Sequence, residues 1–161
     1  MSTSTPSPSH SPQRGTAAFY DMDGTLIGAN VVHAYAYYAL NAQTVSGRIG
    51  RTASLLASLP IYAVADKVDR KFFNEMFYKN YEGFSEDRLV LIGEEVFERV
   101  LKPTIFSGVA EHLKRSKEQG HKQVIVTGGI EYITKPLAEY LGFDDYVANR
   151  LEIKDGYATG R

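Results

Sequence analysis

The chain has no cysteine, almost no net charge and no apolar run long enough to cross a bilayer. Without cysteine there are no disulfides, no cysteine-ligated zinc and no thiol nucleophile. The formal charge is −1, and Lys and Arg form no cluster, which argues against a nucleic-acid surface. The longest apolar stretch, Leu55 to Ala65, is broken by Pro60 and falls short of a transmembrane span. His10, His33, His112 and His121 stand at no metal-ligand spacing. Met1 to Gly15 is a Ser, Thr and Pro text with no apolar core, so it reads as a disordered tail rather than a secretory leader. A cytoplasmic protein is the expectation.

What is present is ordinary globular text. A chain of 161 residues can fold as one domain that buries roughly two thirds of its unfolded surface. The most telling stretch is Phe19-Tyr20-Asp21-Met22-Asp23-Gly24-Thr25-Leu26-Ile27. An apolar strand from Ala17 to Tyr20 stops at two carboxylates spaced i and i+2. Open α/β sheets bind ligands at such strand ends. Two carboxylates there can divide labour, one attacking an electrophile and holding a cation, the other moving a proton. Gly24 supplies backbone freedom for the turn, and the Thr25 hydroxyl can tie the loop. The competing reading is a strand end with an Asp-rich turn, both side chains merely bonding the loop.

The following text is helical. Asn30 to Leu40, Arg51 to Val64, Asp66 to Tyr78 and the segment opened by Ser85 carry apolar residues at helical spacing. Ser85 is a candidate N-cap, and Pro103 ends the block. About four helices without a strand between them suggest a small bundle. The grammar then changes to a helix from Val109 to Gln119, a β-branched strand from Lys122 into glycines, a helix from Ile130 to Leu141, and a strand at Tyr146-Val147. A hairpin centred on Asp155-Gly156 closes the chain. Helix and strand in alternation predict an α/β fold with a parallel sheet. Val126-Thr127-Gly128-Gly129 is the second chemical candidate: a hydroxyl at a strand end, then glycines and a helix start, can cradle an anion. A plain tight turn is the alternative for these four residues alone.

Asp-x-Asp-Gly-Thr-Leu after an apolar strand resembles the first motif of the haloacid dehalogenase-like phosphatase superfamily. Thr127-Gly128 resembles its second. A helical insertion of roughly 100 residues between them must carry its own structure and is similar to the cap of the phosphoserine-phosphatase-like branch, subclass IB type. Gly120-His121-Lys122, Pro136-Leu137-Ala138, Leu141-Gly142-Phe143-Asp144 and Asp155 to Gly160 extend the resemblance over residues 16 to 161. It implies a Rossmann-like core over 16–28 and 103–161, incomplete here, with a helical cap over 29–102. It implies Asp21 as phosphoryl-accepting nucleophile and Asp23 as general acid/base. Thr127 and Gly128 would bind phosphate. Mg2+ would be held by the Asp21 carboxylate and the Asp23 carbonyl, and the substrate would be a small phosphorylated metabolite.

Two departures follow. Where the resemblance implies a Glu for a substrate ammonium, nine positions after Asp21, stands Asn30; a neutral amide gives no charge-assisted bond, which argues against phosphoserine. The family's remaining motifs, a Lys and an acidic pair, are expected beyond residue 161. Lys122, Lys135, Asp144 and Asp145 are placed wrongly to replace them and read as solvated surface. The expectation is thus a magnesium-dependent phosphomonoester hydrolase acting through an aspartyl-phosphate, or alternatively a truncated, incompetent copy with at most weak phosphate binding. A helical interaction module would leave both strand-end motifs unexplained.

Overall fold

Short segments of branched and aromatic residues build the sheet. In the computed structural model, which describes residues 15–30, 33–34, 36–37, 49–50, 53, 57 and 77–161, strands β1 (Ala17–Tyr20), β2 (Lys122–Ile130) and β3 (Asp145–Asn149) lie parallel in the order β1-β2-β3. The register sets Tyr20 against Ile125 and Ile125 against Tyr146. The fold is therefore the expected α/β arrangement. The expected tail (residues 1–15), apart from Gly15, and most of the three helices expected over 30–78 lie outside the described residues.

Helices α1 (Glu86–Val96), α2 (Val109–Glu118) and α3 (Glu131–Leu141) accompany the sheet. Gly120 and Gly142, both with positive φ, follow α2 and α3 as helix-stopping residues. A type I′-like turn at Asp155-Gly156, φ 51° and 80°, joins β4 (Ile153–Lys154) to β5 (Tyr157–Ala158). Ser85 occupies the N-cap of α1 in extended backbone, but its side chain makes no capping bond.

The two sheet faces differ. Ile125 and Gln123 are fully buried, Gln123 bonding Ser116 Oγ of α2 at 3.1 Å, and Tyr20 packs edge-on against His112 and Phe143. Phe19, Val126 and Val147, which alternate with them, are exposed; Phe19 is 69 % accessible. Parallel sheets are ordinarily covered on both faces; here one face leaves these apolar side chains exposed.

Helix α1 lies inside the stretch expected to form a cap, yet it packs along α3. Its Leu89, Ile92 and Val96 share one buried cluster with Ile125, Ile130, Ile133 and Leu137. The ends of the insertion are stitched together. Gly28 N–H donates to the Thr104 carbonyl at 2.9 Å, Phe106 N–H to the Leu26 carbonyl at 3.1 Å, and Ile27 bridges Ile105. Thr104 Oγ1 donates to the Leu101 carbonyl and accepts from Ala29 N–H. The chain thus leaves and re-enters the sheet region through one paired neck.

Tyr132, at the α1–α3 contact, predicts an alkaline transition. Its burial, then the charges of Glu86 and Glu131, push its phenol from 10.0 up to about 12. Above pH 10 the unfolded chain gives up this proton while the folded chain keeps it. The stabilisation is complete below pH 10 and disappears as pH rises through 12. Urea midpoints should fall from pH 9 to pH 11.5, and less steeply in Tyr132→Phe; equal slopes in the two proteins would refute the assignment.

Candidate active site

The end of β1 is a tight loop built by main-chain bonds. The Met22 carbonyl accepts Leu26 N–H at 3.0 Å and Ile27 N–H at 3.2 Å, and Gly24 N–H donates to the Ile27 carbonyl at 2.8 Å. Gly24 has φ 76°, a conformation that favours glycine. The loop buries Met22, Leu26 and Ile27, leaves Asp21 exposed and half-buries Asp23, whose Oδ1 is covered. Asp21 Oδ1 accepts its neighbour's Met22 N–H at 2.9 Å. Thr25 does not tie the loop as expected; its side chain is exposed and makes no hydrogen bond among the described residues. The backbone bonds already close the turn.

The second motif lies beside the first. Because β1 and β2 are parallel with Tyr20 opposite Ile125, Asp21 and Thr127 both follow at the same sheet edge. Gly129 closes the gap: a Cβ placed there would lie 3.1 Å from Met22 Cε and 3.4 Å from Thr127 Oγ1. The glycine leaves room for the Met22 side chain against the second loop. β2 does not end at Thr127 but runs irregularly to Ile130, where the register slips so that Ile130 faces Asn149. Helix α3 accordingly starts at Glu131, one residue later than expected. Gly129 N–H donates to Thr127 Oγ1 at 3.0 Å, fixing the hydroxyl oxygen inside the loop.

Two further residues join the edge. Tyr78, buried just before the 3-10 turn Lys79–Tyr81, donates its phenol proton to the Gly128 carbonyl. Asn149, the last residue of β3, donates Nδ2–H to Tyr78 Oη at 2.7 Å and to the Gly128 carbonyl at 2.9 Å. The Tyr78 phenol is pushed upward, by burial first and in part by the Asp23 charge, while the Asn149 bond acts the other way. Asp23, Tyr78 and Gly128 therefore share one neighbourhood. Sequence reasoning missed both residues. The strand-end rule could have marked Asn149, which ends a parallel strand at the same edge; nothing local marks Tyr78.

The distant charges stay distant. Lys122 pairs in register with Ala17, and Asp144 Oδ2 accepts Gln123 N–H at 2.7 Å, both at the opposite sheet edge. Asp145 faces Val124, and Lys135 reaches Glu139 at 4.0 Å on the α3 surface. Among the described residues no three carboxylate or imidazole groups converge as a metal cage. A groove of about 420 Å³ lined by Tyr20, Leu26, Phe106 and His112 flanks the first loop. It is largely apolar, and none of Asp21, Asp23 or Thr127 lines it.

A family model described as haloacid dehalogenase-like hydrolase matches residues 18–161, and the chain belongs to that family. It is 33 % identical over 145 residues to a phosphoserine phosphatase of Archaeoglobus fulgidus, covering 88 % of this chain and 36 % of the relative. It is 27 % identical over 157 residues to a probable phosphatase of Mycobacterium tuberculosis, covering 92 % of this chain and 52 % of the relative. The chain thus spans about a third to a half of these relatives' length. A Bordetella pertussis protein of unknown function matches with a TM-score of 0.75 at 20 % identity, over 91 % of this chain and 66 % of that one. A phospho-aspartyl intermediate analogue of phosphoserine phosphatase matches with a TM-score of 0.62 at 20 % identity, over 92 % and 63 %. The fold is that of the haloacid dehalogenase-like proteins. Among the described residues, no helix is long and apolar enough to cross a membrane.

Proposed function

We propose that this chain carries the nucleophile and phosphate-binding parts of a magnesium-dependent phosphomonoester hydrolase acting on a small phosphorylated metabolite. One observation carries the reading: two carboxylates at the end of β1 stand beside a hydroxyl in the irregular last part of β2, with Gly129 against Met22 and Thr127. An Asp21 carboxylate oxygen attacks phosphorus and the ester P–O bond breaks, leaving an aspartyl-phosphate. Asp23 protonates the departing oxygen, then takes a proton from the water that cleaves the intermediate. The Thr127 hydroxyl and Gly128 N–H donate to the phosphoryl oxygens.

The donor set fits magnesium in part. That ion is commonly bound by one or two carboxylates together with phosphate oxygens and water. The Asp21 carboxylate and the Asp23 carbonyl would hold it, and it would offset charge on the phosphoryl group. The insertion, 29–102, is the proposed cap that selects the substrate. The curated relatives named phosphoserine phosphatase suggest a phosphorylated amino acid. Asn30 suggests otherwise: its Oδ1 accepts His33 N–H at 3.3 Å, the i to i+3 bond of a helix cap, and offers no charge to an ammonium. We favour a phosphomonoester whose ammonium, if any, is not met at residue 30.

A second reading, phosphate binding without turnover, is favoured by the missing third carboxylate among the described residues. A panel of phosphomonoesters that includes phosphoserine, assayed for phosphate release with magnesium, separates the two. Release with an alkali-labile phosphoryl label on the protein supports the hydrolase. Phosphate binding without label or release supports the second reading, and neither binding nor release removes both.

Thr127→Ala is expected to weaken phosphate binding by about 1.5–3 kcal/mol, the scale of one hydrogen bond to a charged group. Thr127→Ser keeps the hydroxyl and should bind nearly as wild type. Equal affinity of the Ala variant for inorganic phosphate, by titration calorimetry, would remove Thr127 from the site.

A further inference from the structure

We infer that Tyr78 and Asn149 are positioning residues that clamp the Gly128–Gly129 peptide and thereby hold the Thr127 hydroxyl ready for an anion. The inference rests on the phosphate-site reading above and adds to it two residues from outside both motifs.

The peptide joining Gly128 to Gly129 is gripped at both ends. Its carbonyl accepts from the Tyr78 phenol and from Asn149 Nδ2. Its N–H donates to Thr127 Oγ1 at 3.0 Å. A peptide unit is planar, so fixing the carbonyl direction also fixes the N–H direction. A hydroxyl has one proton and two acceptor lone pairs. With one lone pair taken by Gly129 N–H, the Thr127 oxygen is anchored while its proton stays available to a phosphoryl oxygen. Glycine on both sides of this peptide means the loop itself supplies little stiffness. The stiffness comes from β3, through Asn149, and from within the insertion, through Tyr78. Asn149 also bonds Tyr78 directly at 2.7 Å, so the three groups form a closed triangle. Tyr78 is 7 % exposed, and its ring cannot swing away without opening the cluster that contains Phe77 and Tyr81.

A residue that acts through Thr127 should lose its effect when Thr127 is gone. The test titrates inorganic phosphate, with and without magnesium chloride, into wild type, Tyr78→Phe, Asn149→Ala, Thr127→Ala and the double variant Tyr78→Phe/Thr127→Ala. Tyr78→Phe removes only the hydroxyl, and Asn149 sits at the surface end of a strand, so at least one variant should keep the wild-type melting curve. The expected result is a loss of about threefold to tenfold in phosphate affinity for Tyr78→Phe and for Asn149→Ala, comparable to one neutral hydrogen bond, and the larger loss given above for Thr127→Ala. The double variant should bind no worse than Thr127→Ala. The Gly129 amide proton should exchange faster and shift in the NMR spectrum of both Tyr78→Phe and Asn149→Ala. If Thr127→Ala weakens binding but Tyr78→Phe and Asn149→Ala bind as wild type, the clamp is wrong and the phosphate site stands. Additive losses in the double variant would mean that Tyr78 acts independently of Thr127, which also overturns the clamp. If Thr127→Ala binds phosphate as tightly as wild type, the phosphate-site reading fails and takes the clamp with it.

Discussion

Asp21→Asn is expected to abolish both the phosphoryl label and magnesium-dependent ester hydrolysis. The amide has no anionic oxygen to attack phosphorus, and it would withdraw the charged ligand proposed for magnesium. Loss of a covalent nucleophile costs on the order of 10⁴-fold or more in turnover, or about 5 kcal/mol of transition-state stabilisation at 1.36 kcal/mol per decade. The fold should be spared. Asp21 is exposed, and the bond it accepts from Met22 N–H goes to an oxygen that Asn retains. An unchanged melting curve with no label is therefore the expected pair of results. Asp23→Asn should differ in kind: without its acid the protein is labelled at most residually, and that label turns over slowly because no base activates water. Substantial turnover surviving in Asp21→Asn would show that another group attacks phosphorus. The measurement is release of phosphate from an aryl phosphate ester, alongside the alkali-labile label.

Gly93→Ala is expected to be the most damaging small substitution for the fold. Helix propensity alone predicts the opposite, since Ala in a helix interior is favoured over Gly by about 1 kcal/mol. Yet a Cβ at residue 93 would lie 2.2 Å from the Tyr132 carbonyl oxygen and 3.0 Å from its carbonyl carbon. These are backbone atoms and cannot turn aside as a side chain can. The close approach has a chemical logic. In α3 the Tyr132 carbonyl would ordinarily accept from the N–H four residues on, but that residue is Pro136, which has none. Gly93 of α1 brings its Cα hydrogen toward this carbonyl, a weak C–H to O contact that a side chain would displace. Adding the methyl forces α1 and α3 apart and loosens Leu89, Ile92 and Val96. Overpacking of this kind costs typically 1–3 kcal/mol and sometimes more. We expect the upper end, about 3 kcal/mol, which lowers the melting midpoint by roughly 6–12 °C for a chain of this size. A midpoint equal to or above wild type would mean that the helices separate at no cost.

Much of this molecule was legible along the chain. The strand at Ala17–Tyr20, the β-branched run into Thr127, the helix stops at Gly120 and Gly142 and the Asp155-Gly156 hairpin each follow from local rules, and the structure has them. Such features depend on residues within a few positions of one another: alternation, a missing Cβ, a fixed turn. The pairing of the two motifs was also inferable, because a parallel sheet with helical crossovers brings successive strand ends to one edge. Their chemical roles were legible only as a resemblance.

The sequence by itself determined where chemistry could stand: Asp21 and Asp23 at one strand end, Thr127 and Gly128 at the next. Tertiary structure decided what surrounds and supports them. Thr25 points outward because Met22, through its carbonyl, already closes the turn. Tyr78 meets Gly128 and Asn149 across separations of 50 and 71 residues, and Gly93 meets Tyr132 across two helices. No local pattern encodes these contacts. They arise when the strands fix their register and the helices settle at the distance that Gly93 permits, so side chains and carbonyls far apart in the chain become neighbours.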